Sequence, residues 1–99
     1  MSTISINYSK AYAEANRLKT AANECDNLIS QSQRAVAYLH TYWEGAAANE
    51  FLAANEKWRK EMQSIKIELT AISNSIKKVT DEIRAADLRA AEAAKKGEI

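Results

Sequence analysis

Proline is absent from this 99-residue chain, glycine occurs only at positions 45 and 97, and the single cysteine is Cys25. So few breakers exclude a β-rich fold with its many turns and favour long helices. One cysteine rules out an intrachain disulfide. The first twenty residues lack the basic-then-apolar pattern of a Sec signal peptide, and no apolar run approaches the ~18 residues of a membrane span. Fourteen Lys and Arg stand against thirteen Asp and Glu, a net charge of +1. That balance steers the protein toward neither nucleic acid nor an acidic membrane surface, so neither is expected as a primary partner. The short basic stretches "KWRKEM" and "IKK" hold too few basic residues, offset by acidic neighbours, for a phosphate-binding surface.

Reactive chemistry is equally sparse. There is no glycine-rich phosphate loop, paired-histidine motif or cysteine cluster. His40, the only histidine, reads as a surface or hydrogen-bonded residue just off an apolar stripe, and Cys25 as a small hydrophobe within that stripe. A non-enzymatic protein without catalytic residues, metal or cofactor is expected.

What is present is periodicity. From Tyr8 through Ala15, Ala22, Ile29 and Val36 to Trp43, apolar or small residues recur at alternating steps of three and four. From Ala48 through Phe51, Trp58, Met62, Ile65, Leu69, Ile72, Ile76, Val79 and Ile83 to Ala93 they do so again. Each half reads as one long helix with a coiled-coil seam. Extending the first register past Trp43 places Glu50, Lys57 and Lys60 on the stripe, so the two seams are out of phase and the break falls at Gly45. The fold class that follows is all-α: one domain over 1–99, an antiparallel two-helix hairpin with helix one over about 7–42, a turn at 43–46 and helix two over about 47–95. Asn7 suits the start of helix one as N-cap, and Gly97 the C′ position after helix two.

The central aliphatics Ile29, Val36, Leu39, Met62, Leu69 and Ile72 are expected to dominate the core. Beside the first seam, Ala21, Leu28, Ala35 and Tyr42 recur every seven residues, while the matching flank of helix two carries Glu61, Glu68 and Glu82. The helix-one flank reads either as a broadened intramolecular contact or as a dimer face joining two hairpins into a four-helix bundle. Trp43 reads either as packing at the hairpin end against Phe51 or as a residue for a partner to grip. Helix two is expected to overhang or fray beyond helix one, where Ala86, Ala90 and Ala93 offer little apolar area.

The sequence Trp43-Glu44-Gly45, at the centre of a proline-free helical chain of this length, resembles the WXG family of small type VII (ESX) secretion substrates, the ESAT-like proteins of Gram-positive bacteria. The resemblance spans essentially the whole chain. It implies a homodimer or heterodimer of hairpins, export by a secretion ATPase without a Sec signal, and service as a secreted effector or as a carrier for a larger toxin. It also implies a bipartite signal that joins the Trp-X-Gly turn, here Trp43 and Gly45, to a C-terminal helical segment. The actinobacterial form of that segment needs a tyrosine, and none follows Tyr42. A looser form, similar to that of Firmicute members, falls on Ile83, Asp87, Ala90 and Ala94. The competing reading is an intracellular helical adaptor that pairs with a larger protein and is not itself exported.

Overall fold

The computed structural model describes residues 7–97, and two helices account for most of them. Helix α1 spans Tyr8–Leu39 and helix α2 Ala46–Lys95, packed antiparallel as a hairpin. The molecule measures 78 × 17 × 14 Å. Its long dimension is that of α2, since 50 residues at ~1.5 Å each extend about 75 Å. The fold is all-α, with no strand among the described residues.

Local chemistry fixes the helix ends. The Asn7 side chain accepts a hydrogen bond from the Lys10 N–H at 3.0 Å, satisfying one of the free donors at the start of α1. At the other end α1 stops at Leu39, three residues before the boundary near 42 that periodicity suggests. There the Thr41 hydroxyl donates to the Tyr38 carbonyl at 2.7 Å, and the Trp43 N–H closes on the Leu39 carbonyl at 2.9 Å. A threonine that caps a carbonyl through its side chain competes with helix continuation. Tyr42 therefore belongs to the turn.

Gly45 has φ 112° and ψ −175°, a region of backbone space that only glycine occupies readily. Its carbonyl accepts the Asn49 N–H at 3.0 Å, opening α2. A Cβ placed there would meet no atom within 4 Å, so the demand for glycine is torsional rather than spatial. At the far end Gly97, with φ 71°, follows the cap residue Lys96 in the left-handed conformation of a C′ position.

The surface where the helices meet is built from small side chains. On α1 the buried residues are Ala15, Ala22, Cys25 and Ile29; on α2 they are Ala48, Ser73 and Thr80. Small residues let the backbones approach, and polar atoms then bridge the gap. The Ser73 hydroxyl donates to the Ala15 carbonyl at 2.6 Å, and the Asn55 amide donates to the Ser32 hydroxyl at 2.6 Å. Thr80 turns its hydroxyl back to the Ile76 carbonyl at 2.6 Å. No buried side-chain polar atom among the described residues lacks a partner.

This arrangement corrects the expected seam of α2. Ala48, Asn55, Met62, Leu69, Ile76 and Ile83 do point toward α1, all of them buried or half-buried. The alternate positions, however, are Leu52, Arg59, Lys66, Ser73 and Thr80, each one residue beyond its expected counterpart. Ile72, expected at the centre of the core, is 49% exposed while its neighbour Ser73 is 5% exposed; Val79 and Thr80 stand at 51% and 2%. One residue turns a helix by about 100°, enough to move a side chain from the seam to the flank. Of the six aliphatics expected to dominate the core, Ile29 is buried, Val36, Leu39, Met62 and Leu69 are half-buried, and Ile72 lies outside it.

Gly45→Ala should therefore cost about 1 to 3 kcal/mol, the range for a side chain forced into this backbone region, with helical circular dichroism retained below a lowered melting temperature. Ile29→Ala should cost about 2 to 5 kcal/mol as a buried-site truncation, and Ile72→Ala under about 1 kcal/mol in urea melts at low protein concentration. Equal losses at the two isoleucines would contradict the seam described here.

Candidate functional site

The hairpin has two unlike flanks. On one, side chains cross between the helices: the Tyr12 hydroxyl donates to Asp81, and the Lys66 ammonium meets Asp26 at 2.6 Å. At about 100° per residue, Leu28 lies roughly 200° from Asp26 around α1, and Val79 lies roughly 200° from Asp81 around α2. Both therefore sit on the opposite flank. Ala21 and Ala35 share the line of Leu28 on α1, and Phe51, Trp58, Ile65 and Ile72 share the line of Val79 on α2.

The two lines form a single apolar face along one side of the molecule. Leu28 is 46% exposed, and Phe51, Ile65, Ile72 and Val79 are each at least two-fifths exposed. The α1 line of Ala21, Leu28 and Ala35 lies along this face, and α2 contributes the larger share of apolar residues beside it. Tyr42 departs from that stripe because α1 has already ended; it is exposed and packs edge-to-face on Tyr38, with ring centres 5.3 Å apart. Glu61, Glu68 and Glu82 border the α2 stripe, three or four residues from its members, rather than occupying it.

What the sequence pattern missed is that the α2 seam and the sticky face overlap. Its signal was the width of the apolar arc: Leu52 beside Phe51 and Ile76 beside Val79 exceed what one seam against one neighbour needs.

At the turn, Trp43 is half-buried, its ring centre 5.7 Å from that of Phe51 at 46°. Val36, Leu39, His40, Ala48 and Leu52 complete a small groove around this pair. Trp43 packs at the hairpin end, and through Phe51 it touches the first member of the apolar face. His40 caps α1 and is exposed; Cys25 is buried in the seam.

At the open end the Tyr8 hydroxyl donates to Asp87. Ile83, Asp87, Ala90 and Ala94 fall on one line of α2: Ile83 is half-buried, Asp87 is engaged by Tyr8, and Ala90 and Ala94 are exposed. The Tyr8 side chain, in the first turn of α1, reaches along α2 to Asp87, and α2 continues beyond that contact as an intact helix to Lys95. The hydrogen bonds to Asp87 and Asp81 raise the pKa of Tyr8 and Tyr12 respectively above the ordinary tyrosine value, with desolvation adding to both. Among the described residues no cluster of His, Cys, Asp and Glu is placed to hold a metal, and no helix is long and apolar enough to cross a membrane.

A family model, WXG100, described as proteins of 100 residues with WXG, matches residues 3–88. No curated protein and no solved structure matches the chain.

Because folding raises both tyrosine pKa values, the protonated phenols favour the folded state; this contribution is complete below the ordinary tyrosine pKa near 10 and is lost as pH rises through the higher folded values. Amide exchange near Tyr8 to Ala15 and Thr80 to Asp87 should accelerate above that pH relative to the hairpin middle. Tyr8→Phe/Tyr12→Phe should remove the extra alkaline sensitivity of these segments, and its persistence in the double variant would rule out the phenol clamps as its source.

Proposed function

Since the chain belongs to the WXG100 family, small helical substrates of type VII secretion, we propose that it is a non-enzymatic exported protein that works by pairing with another helical hairpin. The observation that carries this reading is the apolar face of Leu28, Ile65, Ile72 and Val79, which the hairpin leaves open along its middle. A second hairpin laid on it completes a four-helix bundle, in which each helix needs an apolar arc wider than a two-helix seam. Proteins of this family typically form dimers with partners, consistent with such a face. The paired protein acts as a secreted effector or as a carrier for a larger toxin, and it reaches the outside through the secretion ATPase rather than a Sec channel.

Trp43 and Gly45 serve this role as a recognition element at the hairpin end, with Ile83, Asp87, Ala90 and Ala94 as the C-terminal part of the signal. Gly45 sets the chain reversal, and Trp43 presents a half-buried indole beside the exposed ring of Phe51. Such an amphipathic ring suits a contact made and released during export. Trp43→Ala should keep a helical protein with a cooperative melt while reducing the secreted fraction at least about tenfold, the scale of a lost interface anchor. Leu28→Glu should abolish pairing in sedimentation without unfolding the hairpin, because the new charge reaches water in the monomer but not in the bundle. Undiminished extracellular protein after deletion of the secretion ATPase, with a cytosolic marker absent from the medium, would overturn export by this route. Retention in the cytosol with pairing intact would favour an intracellular adaptor.

A further inference from the structure

The rim of the apolar face carries information about what covers it. The chain has net charge +1, yet at the middle of this flank the bordering charges are acidic: Glu24 on α1, and Glu61 and Glu68 on α2, all exposed. Glu82 continues the row on α2. Lys57 and Lys78 stand one turn from Glu61 and Glu82 on the side away from the apolar stripe, and the other basic residues of this flank lie toward the open end. Arg17 is 3.3 Å from Glu14 in a pair on its own helix, Lys10 sits one turn below Glu14, and Arg89 lies past the level where described α1 begins.

Position along the hairpin makes this acidity decisive. The short Ser73–Ala15 and Asn55–Ser32 contacts set the two helices level and place Glu24 opposite the stretch of α2 between Glu61 and Glu68. That level is also the midpoint of α1, Tyr8–Leu39. A closed pair of identical chains has two-fold symmetry. With hairpin tips at opposite ends and α1 centred on its copy, each helix meets its own copy, so Glu24 faces Glu24 and Glu68 approaches Glu61 of the second copy. With tips at the same end, α1 lies over α2 of the other chain and Glu24 falls between Glu61 and Glu68. Either closure brings carboxylates together at the centre of the interface, where like charges select against the partner that presents them.

We propose that this face is built for a non-identical helical hairpin, one whose apolar stripe is bordered at mid-length by Lys or Arg, and that it disfavours a second copy of this chain. The inference rests on the pairing role given above and names the partner for the same face. Specificity lies in the rim and attachment in the stripe. The rim residues are exposed, so the hairpin does not need them to fold.

A probe with the required chemistry can be made from the chain itself. In the full-length variant Glu24→Lys/Glu61→Lys/Glu68→Lys/Glu82→Lys the same apolar face acquires a basic rim. Circular dichroism establishes that it folds, and sedimentation and fluorescence titration then compare wild type alone, variant alone and their mixture. The mixed pair should bind at least about tenfold more tightly than either chain binds itself at low salt, and the advantage should shrink as salt screens exposed charges. Glu24→Gln/Glu68→Gln should tighten self-association of the otherwise wild-type chain about tenfold by removing the like charges. A wild-type homodimer as tight as the mixed pair and insensitive to salt overturns the inference while leaving pairing through this face intact. A mixed pair unaffected by Ile72→Lys in both chains overturns the face itself, and the proposal with it.

Discussion

Two helices lying side by side can shield one stripe of each from water, and α2 is apolar over a wider arc than that. Small side chains decide which part of the arc turns inward. Ala15, Ala22, Ala48, Ser73 and Thr80 let the backbones approach, and the approach is what brings the Ser73 hydroxyl to the Ala15 carbonyl. Isoleucines in the places of Ser73 and Thr80 would hold the helices apart and break that bridge. Ile65, Ile72 and Val79 therefore stand on the flank, each leaving roughly 1 kcal/mol of burial unrealised in the lone hairpin, about half the value of a fully buried aliphatic.

The two flanks divide the remaining work. The flank of Tyr12, Asp26, Lys66 and Asp81 spends its polar groups on contacts between the helices. The opposite flank has its apolar residues in a line and its carboxylates at the border. Such a division explains how a chain of near-zero net charge can still present a surface of one sign at a particular place. The turn connects to the same flank, because Trp43 packs on Phe51, the first residue of the apolar line on α2. The hairpin end and the apolar side are thus continuous surfaces.

The chain reversal illustrates how little of the sequence a decisive constraint can occupy. Gly45 lies in open space, so its role is to permit one pair of backbone angles. Upstream, Thr41 ends α1 by bonding the Tyr38 carbonyl, which places Tyr42 off the helix and out of the stripe that its spacing from Ala35 suggested. Periodicity counts residues, whereas a helix ends where side chains satisfy its last carbonyls.

The sequence by itself determined the all-α class, the two helices, the reversal at Gly45 and the cap at Asn7, because these rest on local propensity, periodic spacing and backbone torsion. It also made the α1 line of Ala21, Leu28 and Ala35 legible, since a seven-residue recurrence needs no partner to be seen. Only the tertiary structure decided which edge of the α2 arc meets α1. Ile72 and Ser73 differ by about 100° around the helix, and both registers satisfy the same three-and-four spacing through Leu69 and Ile76. Hydrophobicity alone ranks isoleucine inside; the close approach of two alanine-lined helices and the bond from Ser73 to Ala15 reverse that order, leaving the apolar line of α2 on the same side as Leu28.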